Sequence, residues 1–442
     1  MYRDRRAGEV RGRVGEGVLD AAFGRRDGAL HCEDVSAERI ARDVGTPTFV
    51  YSAGVIRERY RRLSSALSGI PHRLHFTAKA NTNRAVLRLL RELGAGVDVV
   101  SGGELFRAQQ AGFAGRDILF GGVGKNALEL REAVLAGVKL INVESLAELE
   151  LLSSIAQELG TTAAVGLRIN PEVLVETPHA YIATGAKGHK FGIPWDDAMH
   201  CAQAALRLPG IELAALDMHL GSQLATVEPY RLGAERIAEL AARVTTAGAQ
   251  LRYVDVGGGL PVSYQSGDPE PDLEGYAAIV GALARETGTE LLVEPGRFFV
   301  AASGVMLARV LYRKHSGGKD YAIVDAGMND LLRPSHYDAY HQIDAVRPNG
   351  TIARLDVVGP VCESGDFLAL DREMDDVSPG DLIAVHTAGA YGYVMGSTYN
   401  ARPRPAEVLV DGPRYAVVTA REQYADLVRL EQSDPVWSDA SC

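Results

Sequence analysis

The segment LRYVDVGGGL, Leu251–Leu260, decides the fold. A short apolar run of strand length stops on three glycines, residues that let a backbone turn sharply or approach a ligand closely. The same pattern returns at LLVEPGR, Leu291–Arg297, and recurs upstream as far as LHFTAKAN, Leu74–Asn81. Read this way, strands are expected near Leu74–Ala78, Val97–Val100, Ile118–Phe120, Leu140–Val143, Ala163–Ile169, Leu213–His219, Tyr253–Val256 and Leu291–Glu294. Between them, Arg84–Leu93, Ala127–Ala136, Leu146–Leu159 and Tyr230–Thr246 carry helical spacing of Leu, Ala and Val. Eight βα units are the number that closes a (β/α)8 barrel. The competing arrangement, an open doubly wound sheet, would call for an early Gly-x-Gly-x-x-Gly turn that this pattern does not offer.

Beyond Arg297 the texture changes. Strand-like runs at Val305–Tyr312, Tyr321–Val324, Ile352–Val358, Leu382–His386, Glu407–Val410 and Tyr415–Val418 are punctuated by Gly and Pro, as in Pro379-Gly380-Asp381. The expected organisation is α/β: residues 1–45 as an N-terminal segment packing on a β domain, 46–300 as the (β/α)8 barrel, and 301–442 as a C-terminal β-sandwich or β-barrel domain. The stretch Ser266–Asp272 reads as a surface loop.

The 442 residues suit two domains, and 46% hydrophobic with 23% charged residues is the balance of a globular protein. A net charge of -11 argues against a nucleic-acid partner, and no apolar run is long enough to cross a bilayer. Cys32, Cys201, Cys362 and Cys442 are scattered without metal-ligand spacing, so no metal site is expected and a reducing cytoplasm fits. The arginine-rich N-terminus lacks the apolar core of a signal peptide.

Polar and glycine clusters fall at the C-terminal ends of the expected barrel strands: Lys79-Ala80-Asn81, Ser101-Gly102-Gly103-Glu104, Gly121-Gly122, Glu144-Ser145, Arg168-Ile169-Asn170, His219-Leu220-Gly221-Ser222, Gly257-Gly258-Gly259 and Glu294-Pro295-Gly296-Arg297. Any one could be a turn with a helix cap. Their shared placement marks the face on which barrel enzymes build active sites. A lysine at a strand end is ordinarily a solvated surface group. At a barrel mouth, desolvation of Lys79 would disfavour its ammonium and free an amine for Schiff-base chemistry. The glycines after strands seven and eight offer bare backbone N–H groups for a phosphate, with Ser222 as a hydroxyl donor. Glu294 could cap a helix or pair with a ring nitrogen, and His219 could be a core histidine or pack on a ring.

Taken together the motifs FTAKAN around Lys79, DVVSGGEL (Asp98–Leu105), HKFGI (His189–Ile193), HLGSQ (His219–Gln223), DVGGGL (Asp255–Leu260), EPGR (Glu294–Arg297), DAGMNDLLRPSHYDAYH (Asp325–His341), GPVCESGDFL (Gly359–Leu368) and GAYGYVMGSTYNARPRPAEVLV (Gly389–Val410) run in order through nearly the whole chain. The series resembles the fold-type III decarboxylases that use pyridoxal 5'-phosphate (PLP), whose alanine-racemase-like architecture joins a (β/α)8 barrel to a β domain, and within them the branch acting on diaminopimelate. The resemblance implies that Lys79 carries PLP, His219 packs on its ring and Glu294 pairs with the ring nitrogen. It assigns the phosphate to Gly258, Gly259, Gly296 and Arg297, beside the Ser222 hydroxyl, and cofactor and substrate contacts to Tyr391. Substrate contacts fall on Arg297, Arg333, Tyr337 and Glu363. Cys362 is the implied proton donor, supplied with Glu363 across a homodimer with shared active sites. The implied reaction is decarboxylation of a small diamino acid, meso-2,6-diaminopimelate, to lysine. An ornithine, arginine or carrier-bound glutamyl decarboxylase, a racemase, and a non-catalytic PLP-binding homologue remain alternatives. Arg333 argues for a distal carboxylate, since a guanidinium grips one bidentately.

Overall fold

In this computed structural model the structure describes residues 22–173, 188–265, 267–268, 270–435 and 437–438. The arginine-rich residues 1–21, Cys442, and Ser266 and Pro269 of the expected surface loop lie outside them.

Eight parallel strands, His72–Thr77, Gly96–Val99, Ile118–Phe120, Leu140–Val143, Ala163–Arg168, Ile211–Asp217, Tyr253–Asp255 and Glu290–Val293, follow one another around a closed barrel. The eighth closes on the first, with Val293 opposite Leu74, so the open sheet is excluded. Strands such as Gly96–Val99 and Leu140–Val143 are buried along their whole length. That is why they read as unbroken apolar runs: the helices cover one face and the barrel interior the other. Two of the polar clusters after these strands are helix starts. The Ser101 and Ser145 hydroxyls accept the Glu104 and Glu148 amides, both at 3.2 Å, while the Glu104 and Glu148 carboxylates reach back to the Val100 and Glu144 amides. Each satisfies donors that a helix N-terminus leaves open.

The second unit is organised by one long strand, Gly304–Ser316. Its first half lies between Thr48–Ser52 and Leu382–Val385; its second half pairs with Lys319–Val324. Ala406–Asp411 and Arg414–Thr419 extend one side, and Ile352–Val358 and Phe367–Asp375 extend the other. Thr48–Ser52 precedes the barrel in sequence yet runs parallel to Ala406–Asp411 in this sheet. The boundary read at 45/46 therefore falls upstream of a strand that belongs to the second sheet. Phe367–Asp375 also escapes the sequence pattern, because FLALDREMD alternates charge on an edge strand with little to bury. Residues 25–36 form their own three-stranded sheet. It docks on the second unit through the Leu30 amide and the Arg25 guanidinium, which donate to the carbonyls of Val346 and Ala345.

The second unit sits on the barrel mouth through backbone contacts. The Gly389 amide donates to Ala301 O at 3.1 Å, the Asn81 side chain donates to Gly389 O at 3.0 Å, and the Tyr391 amide donates to Ala80 O at 2.8 Å. Gly389 permits this approach, since a Cβ there would stand 1.9 Å from Val300 O. Tyr391 is thereby delivered beside Lys79. Gly389→Ala should destabilise the fold by about 1–3 kcal/mol in urea denaturation, the range for overpacking a tight contact. An unchanged midpoint would show that the docking surface is looser than this contact implies.

Candidate active site

The strand ends deliver charge to the barrel mouth in register. Thr77 lies opposite Asp98, and Arg168, Asp217 and Asp255 follow one another across strands five, six and seven. Lys79 stands just above, on a single 3-10 turn, Ala78–Ala80, that ends the first strand. Burial pushes the Lys79 ammonium down, yet Asp98, Tyr391 and Glu294 reverse the effect and its pKa lies above the ordinary value. The expectation that desolvation alone frees the amine is therefore corrected: neighbouring carboxyl groups hold the cation. Those acids are shifted in turn, Asp98 to about 8 and Glu294 to about 7, chiefly by burial and then by other carboxylates, with Lys79 opposing. Asp217 is likewise driven to about 7 by burial, against the pull of Arg168. Burial thus holds these carboxyl groups well above the ordinary carboxylate range, a perturbation that clusters at functional sites.

His219 is held neutral by burial, reinforced by Lys79 and Arg168. Its Nδ1 accepts the Gly258 amide at 3.2 Å, so Nε2 carries the proton. Beside it, Gly257 and Gly259 adopt left-handed φ angles of 63° and 104°. A Cβ at Gly258 would lie 2.4 Å from Glu294 O, and one at Gly259 would lie 2.7 Å from Gly221 O. The amides of Gly259 and Gly296 meet no acceptor among the described residues, which leaves two donors for an anion. Arg297 is fixed from both sides: Nε and Nη2 donate to Ser222 Oγ at 3.3 and 3.1 Å, and Nη1 donates to Tyr264 Oη at 2.6 Å. Its guanidinium also lies over the Tyr391 ring at 4.8 Å.

These groups open onto a cavity of about 890 Å3 lined by Lys79, His219, Ser222, Arg297, Arg333, Tyr337 and Tyr391 among others. A narrower recess, bounded by Gly258, Gly259, Glu294, Gly296 and Arg297, continues below Lys79. Arg333 enters from the second unit, on the short helix Arg333–Tyr337. It is 6% exposed, its Nε has no hydrogen-bond partner, and burial lowers its pKa. It rests over the Tyr264 ring at 4.9 Å. A buried guanidinium without a carboxylate is costly unless a ligand supplies one.

Two expected site residues are not brought here. Cys362 and Glu363 lie on an exposed loop and do not line the cavity. Conversely, the structure adds Tyr264, Asp98 and Arg168 to the site. The charged strand residues carried a signal, because an Asp or Arg within a barrel strand must find a partner inside. Tyr264, on the loop after strand seven, carried none.

The recess of amides, the neutral His219 beside it, and Lys79 and Glu294 on its wall match what PLP requires: anion donors for a phosphate, a flat wall for a ring, an acid for a pyridine nitrogen and an amine. The site and fold together define a PLP-dependent decarboxylase. Residues 53–301 match the family model described as the pyridoxal binding domain of pyridoxal-dependent decarboxylases. A diaminopimelate decarboxylase of Pseudomonas fluorescens is 47% identical over 416 residues, spanning 94% of this chain and 99% of the relative. That of Aquifex aeolicus is 42% identical, spanning 91% and 96%. The crystal structure of diaminopimelate decarboxylase from Helicobacter pylori in complex with L-lysine superposes with a TM-score of 0.86 at 38% identity, covering 89% of this chain and 98% of that one. The chain belongs to the diaminopimelate decarboxylase family.

Gly259→Ala should weaken PLP binding by on the order of tenfold or more, an overpacking penalty in the recess. Titration of the visible absorbance band reads this, with far-ultraviolet circular dichroism as the control for folding. Unaltered affinity would remove the glycine loop from the phosphate site.

Proposed function

We propose that the protein decarboxylates meso-2,6-diaminopimelate to L-lysine and CO2. The single observation that carries the substrate is Arg333, a buried guanidinium in the cavity wall whose Nε lacks a partner. A distal carboxylate of the substrate satisfies it. Ornithine and lysine have no such group and would leave it desolvated, so the pocket selects by the cost of an unpaired charge.

Lys79 would hold PLP through its amine, His219 would flank the ring, and Glu294 would face the ring nitrogen. Ser222, Gly258, Gly259, Gly296 and Arg297 would hold the phosphate; the Ser222 hydroxyl, already accepting from Arg297, keeps its proton to donate. When bound, PLP supplies an electron sink for the bond broken at the substrate's α-carbon. The chain's own groups do the rest. Arg333, Tyr337 and Arg297 orient the substrate, with Tyr264 pinning Arg297 and supporting Arg333, and Tyr391 closes the site from above. Cys362 Sγ delivers the proton that replaces CO2 at the α-carbon, and Glu363 binds the distal ammonium.

Because Cys362 and Glu363 are exposed and do not line their own cavity, we assign them to the site of a second copy in a homodimer. An exposed, polar loop carrying a thiol and a carboxylate supports this reading. Free cysteines, two of them buried, support a reducing compartment such as the cytoplasm, and among the described residues no helix is long and apolar enough to cross a membrane.

Two measurements test these assignments. Arg333→Leu should lower kcat/KM for diaminopimelate by on the order of a hundredfold, the cost of losing a charged hydrogen bond at a buried site. Its turnover of L-lysine should not fall. A parallel loss on both substrates would deny Arg333 its part in specificity. For the shared site, Lys79→Ala and Cys362→Ala should each be nearly inactive, and mixing them should restore about a quarter of wild-type activity, because half the dimers are mixed and each holds one intact site. No recovery on mixing would place each site within one chain.

A further inference from the structure

The loop that carries Cys362 has little apolar anchorage. Cys362, Glu363 and Ser364 are all exposed, and an unanchored loop could not hold a thiol to the sub-ångström placement that proton transfer demands. Something polar must fix it. From below, the Asp366 carboxylate accepts the Val361 and Met328 amides, both at 2.6 Å. At the tip, the Cys362 amide donates to Asn400 Oδ1 at 2.7 Å. Asn400 is 38 positions away in sequence, so this is a tertiary tether rather than a local turn.

The backbone at the far end of the tether is unusual. Asn400 has φ 56° and ψ 27°, and Ala401 follows at φ 54°. Two successive non-glycine residues in the left-handed region are uncommon and are kept where surrounding structure over-determines them. Asparagine tolerates that conformation better than most side chains. Here it turns its amide oxygen onto the Cys362 backbone. The neighbouring Tyr399 lies close enough to Glu363 for that carboxylate to raise its phenol pKa. The turn is held in its own right, since the Ser397 amide donates to Asn329 O at 2.8 Å.

We propose that Asn400 is a positioning residue: its side-chain oxygen fixes the Cys362 amide and so aims the thiol out of its own chain. The inference rests on Cys362 being the proton donor proposed above. It adds that the thiol works only from a loop tied to the 397–401 turn. The tether acts on the Cys362 backbone, so turnover depends on Asn400 more than substrate binding does.

The test is a double-mutant cycle on the PLP-loaded enzyme. Asn400→Gly keeps the left-handed backbone and removes the tether; Asn400→Asp keeps both backbone and acceptor. Asn400→Gly should lower kcat by on the order of tenfold or more, the scale of a misplaced reacting group, with KM changing less and the visible cofactor band unaltered. Asn400→Asp should restore most of the loss. In a Cys362→Ala background Asn400→Gly should have no further effect, because the group it positions is gone. If Asn400→Gly slows Cys362→Ala as much as it slows wild type, or if Asn400→Asp is as slow as Asn400→Gly, the inference is overturned. If Cys362→Ala alone turns over like wild type, the proton-donor assignment falls first and this inference with it.

Discussion

A lysine half-buried at the mouth of a barrel needs surroundings that answer its charge. Here the answer is built from strand register. Asp98, Asp217 and Asp255 rise from strands two, six and seven, Arg168 from strand five, and Glu294 follows strand eight. Arg168 is paired directly with Glu144 at 3.0 Å, and the remaining acids outnumber the cations they face. Burial raises all four acids, Asp98 to about 8 and Asp217 and Glu294 to about 7, with Arg168 opposing the shift on each of those three and Lys79 on Asp98 and Glu294. The rest of the barrel keeps these strands in register.

The second unit completes the site from above. Its strand Gly304–Ser316 continues directly from the short helix after EPGR, and Thr48–Ser52 returns to the same sheet from the chain's beginning. Barrel and lid are therefore tied by covalent continuity at both ends of the barrel, and by the close approach at Gly389. Tyr391 and Arg333 reach the cavity from this unit, while Lys79, His219 and Glu294 come from the barrel, and Tyr264 contacts both Arg297 and Arg333 between them.

Much of this was legible in the sequence. Apolar runs ending on glycine or charge located all eight barrel strands within a residue or two, because parallel strands buried on both faces leave an uninterrupted apolar signature. The glycines at 257–259 and at 296 announced a backbone recess for the same reason. Three things were not legible. Thr48–Ser52 reads as one more apolar run before a helix, and only pairing across hundreds of residues assigns it to the distant sheet. The direction of the Lys79 shift depended on carboxylates brought together by the closed barrel. Tyr264 has no local marker, since a tyrosine in a polar loop becomes part of a site only when Arg297 and Arg333 converge on it from separate elements.

The central claim is that a buried guanidinium whose Nε is unpaired, Arg333, restricts this PLP site to a diamino acid with a distal carboxylate. The most direct measurement is CO2 release by the PLP-loaded enzyme across meso-diaminopimelate, L-lysine, ornithine and arginine at matched concentrations. The account predicts that diaminopimelate is turned over faster than each of the others by on the order of a hundredfold or more, the discrimination expected when an analogue leaves a buried polar group unpaired. Equal or greater turnover of ornithine, arginine or lysine would contradict it.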